Sequence, residues 1–410
     1  MKPSAWLISA EEACMPRFKF FLSNRNNPVR EGDVVWSTPI PLSRHPSNQT
    51  FESNSDRFIN HGDYFLAARD FLEKDRYAII TQSVSQYLHR NISSQEIEEI
   101  RIFLDKHGEF YHPAKVEAVL QAVKIPFVLN VAVADIGKQC AQREYHLLKK
   151  LNTDYPDSFV PRIYAQGTVF TKMDQVETRM FLGEWFEGFN EFHTSFDPDD
   201  KKYKIIVWDH EHGNFFLTTQ QTIDLYRQAG KILTYYYNIE TFEHIFSWHH
   251  AAGDFVLKCQ KEDIDLKLVT VRQYRSMFEG NIASGHMDHD AEIILEALLV
   301  FFLNMAIKMR LDRLDGVGDI VWFDNMALQG ILKGFFEGLA LKPETSMFAK
   351  PLDHCFLQHL LSCSRTDFFD LNYAIAHTYP SQAPEAPVIR QHFGKHVEDL
   401  YNAVRQLENV

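Results

Sequence analysis

Residues 96 to 193 have a pattern of hydrophobic residues that strongly limits the folds open to this chain. Apolar residues alternate on both sides of "KHGEFYH" within "EEIRIFLDKHGEFYHPAKVEAVL", and "IPFVLNVAVA" follows as an apolar run. Alternation with a period of two is typical of strands, so this stretch predicts three antiparallel strands. A helix is predicted at "KQCAQREYHLLKKLN", and two further strands at "FVPRIYAQGTVF" and "TRMFLGEWFEGFNEFH". The prediction is a small five-stranded sheet with one helix inserted after its third strand.

The segment from 194 to 410 is predicted to be mainly helical. Helical periodicity appears in "TQQTIDLYRQAGKILTYYYN", "AEIILEALLVFFLNMAIKMRLDRL", "MALQGILKGFFEGLAL" and residues 392 to 408, with a proline-rich loop before the last of these. Two short strands around a charged turn are predicted in "DFVLKCQKEDIDLKLVTVRQY", and a hairpin with Gly213 in its turn precedes the first helix.

The first 95 residues are predicted to form an extension. Residues 1 to 60 are polar and rich in Asn, Ser and Pro, which predicts an extended arm with one strand at "DVVWS". Residues 64 to 90 carry apolar residues at helical spacing. The predicted organisation is an extension (1–95), a small β-rich lobe (96–193) and a helical lobe (194–410), which makes the fold class α+β.

The charge of the chain argues against a nucleic-acid partner. The formal net charge is -13 at pH 7, and binding to phosphates needs a concentrated basic surface, of which the sequence has no sign. The 45% hydrophobic content of the 410 residues is that of an ordinary globular protein. The expected partners are therefore small-molecule ligands or other proteins.

The cysteines and the apolar runs favour a cytoplasmic protein. Five cysteines are spread along the chain, which indicates neither a disulfide framework nor a CxxC metal site. The longest apolar run, "ALLVFFLNMAI" at 297–307, is about half the length of a membrane span. The prediction is a protein of the reducing cytoplasm without a membrane anchor.

The stretch "SWHHAAGDFVLK" at 247–258 is the main candidate for chemistry. A neutral imidazole of His249 or His250 can accept a hydroxyl proton near pH 7, which makes these two residues candidate catalytic bases. Asp254 is a candidate ligand for a divalent metal ion. The alternatives are a hydrogen-bonded histidine pair that holds the turn, and an Asp that caps it.

The order of elements resembles the protein-kinase-like superfamily, and within it the aminoglycoside phosphotransferase and choline kinase branch. That resemblance implies a two-lobed fold that binds ATP and Mg²⁺, with a lysine on the third strand and a glutamate partner on the next helix. Here Glu144 takes the place of the glutamate, but Asn130 stands where the lysine is expected. The glycine loop has only Gly108, and the segment that receives the adenine corresponds to Glu184, Trp185 and Phe186.

The catalytic loop of the family matches this sequence only in part. With the following strand in register, His249 falls at the catalytic aspartate and Asp254 at the metal-binding asparagine. The second metal-binding aspartate corresponds to Thr270. The resemblance therefore implies a site that lacks both the nucleotide lysine and one metal ligand.

Two acidic clusters offer weaker alternatives. "GHMDHDAE" contains a His/Asp set typical of metal hydrolases or, alternatively, of a solvated helix N-terminus (His286, Asp288, His289 and Asp290). The acidic residues of "RLDRLDGVGD" are predicted to cap a long helix and to pair with Arg310 and Arg313 (Asp312, Asp315 and Asp319).

Three hypotheses follow for function. The first is a pseudokinase-like protein with a remodelled site that binds a nucleotide or small ligand and acts as a binding or regulatory module. The second is an active atypical phosphotransferase with His249 as base, Asp254 as Mg²⁺ ligand and Lys138 as the replacement cation. The third is a metal-dependent hydrolase that uses the two histidines, Asp254 and the cluster at 286–290.

Overall fold

The fold was determined as a computed structural model. It describes residues 15–22, 27–40, 59–104, 107–108, 110–121, 123–172, 175–246, 248, 253–278 and 290–409. The chain divides into two compact units. The first comprises residues 1–154 and 161–187, and the second comprises residues 155–160 and 188–410.

The first unit is built on a six-stranded sheet. Its strands are β1 (Arg17–Leu22), β2 (Glu99–Leu104), β3 (His112–Leu120), β4 (Val123–Ala132), β5 (Ile163–Phe170) and β6 (Glu177–Glu184). Their order across the sheet is β1-β2-β3-β4-β6-β5. β1 pairs with β2 in parallel, and all other neighbours are antiparallel.

The described part of this unit also contains the helices α1 (His61–Leu88) and α2 (Asp135–Asp154). Asn60 and Asp63 form a capping box at the start of α1. Phe65 and Phe71 of α1 share one core with the alternating residues Ile125, Phe127 and Leu129 of β4. α1 therefore covers one face of the sheet, and the residues of β4 between these project from the opposite face.

The described residues of the second unit form four small sheets. β7 (Phe192–Asp197), β8 (Lys202–Val207) and β9 (Phe215–Phe216) form a three-stranded sheet. β10 (Glu243–Phe246) pairs with β13 (Gln273–Ser276), and β11 (Phe255–Gln260) pairs with β12 (Asp263–Leu268). β14 (Leu311–Arg313) and β15 (Ile320–Trp322) form a short hairpin.

The helices of the second unit are α3 (Thr219–Tyr235), α4 (Ala291–Lys308), α5 (Met326–Leu339), α6 (Leu352–Ser362), α7 (Arg365–His377) and α8 (Glu385–Gln406). α3 and α5 pack closely because glycines recur at every fourth position of α5. A Cβ added at Gly334 would lie 1.8 Å from the carbonyl oxygen of Arg227, and one at Gly330 would lie 2.4 Å from that of Ile223. Larger residues at these positions would force the two helices apart.

The mixed α+β class is confirmed, as are the three antiparallel strands from 99 to 132, the helix after them and the β11–β12 hairpin. The predicted strand at "DVVWS" is wrong, because Val34–Ser37 forms a 3-10 turn. The predicted arm also contains β1, whose short "RFKFFL" run lies among polar residues. The predicted proline-rich loop contains the first turns of α8, where Pro387 occupies an N-terminal turn that does not need its N–H.

The predicted role of the acidic residues in "RLDRLDGVGD" is also wrong. α4 ends at Lys308, and the segment forms the β14–β15 hairpin instead of a longer helix. Asp312 is buried and accepts a hydrogen bond from the backbone N–H of Thr194 at 2.7 Å. Arg313 donates to the carbonyl oxygen of Gly318 at 3.3 Å.

In the part of the chain that the structure describes, no helix is both long and apolar enough to span a bilayer.

Candidate functional site

Asn130 lies on the face of the sheet that carries α2. It pairs directly with Phe181 of β6, and residues opposite each other in an antiparallel pair project to the same side. The ring of Phe181 lies 6.4 Å from that of Tyr145 in α2. The half-buried Asn130 amide therefore faces the helix that carries Glu144, but it brings no positive charge to that face.

Glu144 is buried in α2, with 3% of its surface exposed, and it accepts a hydrogen bond from the Tyr111 hydroxyl. The Tyr111 ring lies 6.1 Å from Phe181, on the same face of the sheet as Asn130. The Tyr111 hydroxyl thus donates to the carboxylate that the kinase resemblance pairs with a lysine. Tyr111 was not a predicted site residue, although it lies in the quoted "KHGEFYH" segment.

Lys138 is engaged at the first turn of α2. Its Nζ lies 2.7 Å from Asp135 Oδ1 and 3.7 Å from Glu177 Oε2, and 15% of its side chain is exposed. The Lys138 ammonium is therefore already paired with two carboxylates.

Gly108 shapes the connection between β2 and β3. Its N–H donates to the carbonyl oxygen of Tyr111 at 3.1 Å, and a Cβ at this position would lie 2.6 Å from that oxygen. Next to it, His107 Nδ1 lies 3.1 Å from His112 Nδ1. Burial, followed by the charges of His107 and His61, lowers the pKa of His112 from 6.5 to about 4.

The predicted adenine-binding segment lies at the C-terminal end of β6. Glu184 donates its N–H to the Arg162 carbonyl oxygen at 2.9 Å and accepts from the Arg162 N–H through Oε2 at 3.2 Å. Lys115 Nζ lies 5.6 Å from the centre of the Trp185 ring. Phe186 is half-buried and follows in the same segment.

Asp254 lies in the second unit, immediately before β11. Only 1% of it is exposed, and Oδ2 accepts a hydrogen bond from Arg272 Nη1 at 2.5 Å. Gly253 before it has a φ of +79°, which glycine adopts without strain. The candidate metal ligand is therefore already paired with a cation.

The segment after β12 is tied to Asp254. The Val269 N–H donates to the Asp254 carbonyl oxygen at 2.7 Å, Thr270 follows, and Arg272 completes the ion pair. The structure thus brings the segment of Thr270 next to Asp254, while the family positions assigned to these two residues stay a prediction. Arg272 was not a predicted site residue, and its position two residues after Thr270 was the signal that could have found it.

His249 and His250 lie outside the described residues, as do His286, Asp288 and His289. Asp290 is exposed and immediately precedes α4, as a solvated helix N-terminus requires. Within the described ranges, no group of three or more His, Cys, Asp or Glu side chains is placed to hold a metal ion.

Comparison with known proteins adds little to this geometry. No family model matches the chain, and no curated protein matches it. One solved structure that is similar is "WaaP in complex with acyl carrier protein", with 8% sequence identity, 65% of this chain and 86% of that chain covered, and a TM-score of 0.29. No residue role is transferred from so loose a likeness.

Proposed function

We propose that this chain is a kinase-like protein with a remodelled site, which binds a nucleotide or another small ligand and acts as a binding or regulatory module without conventional phosphotransfer. The observation that carries the proposal is the ion pair that the buried Asp254 forms with Arg272. ATP is the nucleotide that the resemblance implies, and Mg²⁺ is expected to contribute little to its binding.

The first argument concerns the metal. Conventional phosphoryl transfer uses Mg²⁺ ions to bridge phosphate oxygens and neutralise developing charge, and carboxylate and amide oxygens hold them. Arg272 already neutralises Asp254, and the position of the second carboxylate is held by Thr270. A metal ion would have to compete with a guanidinium for this buried carboxylate.

The second argument concerns the phosphate cation. In the family a lysine binds the phosphates while a glutamate orients it. Asn130 supplies no charge, and Glu144 accepts a hydrogen bond from Tyr111. The ammonium of Lys138 is paired with Asp135 and Glu177. The main electrostatic requirement of phosphoryl transfer is that the site stabilises the charge that develops in the transition state. These pairs support a site that does not meet this requirement.

Thermal unfolding of the full chain with nucleotide tests the proposal. Stabilisation by a ligand depends on its concentration relative to the dissociation constant, and it reaches about 2.7 kcal/mol at a hundredfold excess. At a fixed ATP concentration, a site without bound metal is expected to give a small rise in Tm. This rise should be nearly the same with Mg²⁺ and with EDTA. A large Mg²⁺-dependent rise would contradict the proposal, because it would require residues that hold the metal.

A double substitution provides the positive control. Asn130→Lys combined with Thr270→Asp restores both groups that the resemblance requires, so a Mg²⁺-dependent rise in Tm is expected in this variant and not in the natural chain. Asn130→Gln combined with Thr270→Ser keeps both positions neutral and serves as the matched control. Equal responses of the two double variants would contradict the assignment of these positions.

A further inference from the structure

Arg310 is a buried cation with an unusual set of partners. It lies two residues after the end of α4, and 3% of it is exposed. Nε donates to the Phe323 carbonyl oxygen and Nη2 donates to Asn325 Oδ1, both at 2.9 Å. Nη1 is buried and has no hydrogen-bond partner among the described residues.

No carboxylate of the described ranges forms an ion pair with this guanidinium. Asp399 and Asp324 act on its pKa from a longer distance, and both are engaged elsewhere. Asp399 Oδ2 pairs with Lys395 at 3.0 Å, and Asp324 Oδ1 accepts from the Met326 N–H at 2.8 Å. A buried charge normally has a paired opposite charge, so the missing counter-charge requires an explanation.

A second buried group without partners lies nearby on α8. His396 is 1% exposed, and neither of its ring nitrogens has a hydrogen-bond partner within the part of the chain that the structure describes. Burial and the charge of Arg310 lower its pKa from 6.5 to about 3, so the ring is neutral near pH 7. An unpaired buried polar group is destabilising, and here three such nitrogens occur in two side chains.

The two groups meet around one indole ring. The Arg310 Cζ lies 4.9 Å from the centre of the Trp322 ring, and the His396 ring meets Trp322 edge-on at 5.4 Å. His392, one turn before His396 on α8, stacks parallel to the indole at 5.4 Å. Trp322 and His392 are both partly exposed. We call these four residues the Trp322 cluster.

The unpaired atoms define the chemistry of a matching ligand. Arg310 Nη1 offers N–H donors and a positive charge, and a neutral imidazole offers one N–H donor and one acceptor nitrogen. A ligand that satisfies all of them carries negative charge, several acceptor oxygens and one O–H donor. Monohydrogen phosphate has this combination, whereas sulfate lacks the donor near neutral pH.

We propose that the Trp322 cluster binds a small oxyanion of the phosphate type, held by Arg310 and His396. The inference goes beyond the proposed function, since none of these residues corresponds to a position of the kinase motifs.

Phosphate titration of the full chain tests this site. Thermal unfolding is followed in a chloride buffer free of oxyanions, with inorganic phosphate added at constant ionic strength. We expect a saturable rise in Tm with phosphate, a smaller rise with sulfate and none with added chloride. Calorimetric titration of the unmodified protein with phosphate gives an independent measurement. A Tm that does not respond to phosphate would overturn the proposal, and would assign an ordered water or another part of the chain to these nitrogens.

Two substitutions locate the effect. His396→Leu removes both unpaired ring nitrogens, so its Tm without phosphate is expected to equal or exceed that of the natural chain while the phosphate response is lost. Arg310→Lys keeps the charge and loses the guanidinium fork, so the apparent affinity for phosphate is expected to fall at least tenfold. A phosphate response that both variants retain would also overturn the proposal.

Arg405→Gln is the matched control on the same helix. Its guanidinium donates to the carbonyl oxygens of Leu361 and Cys363, both at 2.6 Å, and lies outside the Trp322 cluster. This variant is expected to have a lower Tm than the natural chain, but the same rise in Tm on addition of phosphate. The probe is inorganic phosphate rather than a nucleotide, so failure here is distinguishable from failure of the proposed function.

Discussion

Arg272 Nη1 lies 2.5 Å from Asp254 Oδ2, and the two members of this ion pair differ sharply in exposure. The Asp254 side chain is 1% exposed, whereas that of Arg272 is 30% exposed. Water can solvate the guanidinium if its partner is removed, but it cannot solvate the carboxylate. The pair therefore acts mainly to make a buried negative charge tolerable at the start of β11.

Substitutions at this pair are expected to have unequal effects. Arg272→Gln removes a charged partner from a buried carboxylate, so we expect unfolding free energy to fall by about 3–5 kcal/mol. Asp254→Asn leaves a guanidinium that can reach water, and we expect a smaller loss. Urea denaturation at pH 7 measures the unfolding free energy of both variants.

The control for this prediction is Asp265→Asn on the same hairpin. Asp265 is 53% exposed and lies 3.7 Å from Lys267, and exposed pairs contribute about 0–1 kcal/mol. If Arg272→Gln changed stability as little as this control, Asp254 would not depend on Arg272, and the main support for a metal-independent site would be lost.

Tyr111→Phe tests the partner of Glu144. Removal of the hydroxyl leaves a buried carboxylate without this donor, so we expect a loss of about 1–3 kcal/mol in unfolding free energy. Tyr145→Phe is the control because Tyr145 also lies against Phe181 but has no hydrogen bond from its hydroxyl in the described structure. Equal stability of the two variants would show that Tyr111 contributes nothing to holding Glu144.

The pH dependence of stability is expected to report on His112. Burial lowers its pKa from 6.5 to about 4 in the folded chain, so between these values the unfolded chain binds the extra proton. The stabilisation is complete above pH 6.5 and is lost as the pH falls toward 4, with a total change of about 3 kcal/mol. Unfolding free energy measured in urea from pH 7.5 to pH 4 follows this change.

His112→Asn removes the titrating group, so this variant should lose less stability on acidification than the natural chain. Uptake of one proton by the unfolded chain contributes a slope of roughly 1.4 kcal/mol per pH unit, and this contribution should be absent. His377→Asn, at an exposed position of α7, should leave the profile unchanged. An unaltered profile for His112→Asn would mean that the imidazole of His112 is accessible to protons in the folded state.

Local patterns along the chain were sufficient to predict most of the central elements. Alternating apolar residues predicted β2, β3 and β4, and helical periodicity predicted α3, which begins at a capping box of Thr218 and Gln221. Such signals involve residues that are near each other in sequence, so they survive without tertiary information. The prediction failed at β14 and β15, which have three residues each and are too short to show a period, and at β1, whose six residues lie among polar ones.

The partners of the buried polar groups were decided only by the tertiary structure. The sequence by itself determined that Glu144, Asp254 and Arg310 are present and which local elements carry or adjoin them. It did not determine that Tyr111 would bind Glu144, that Arg272 would bind Asp254, or that His396 would lie with Arg310 beside Trp322. These neighbours are 18 to 86 positions apart, and a side chain's partner at such a separation depends on how whole elements pack. Burial then gives each pairing its energetic weight, because a charge without water depends on the few groups that folding places beside it.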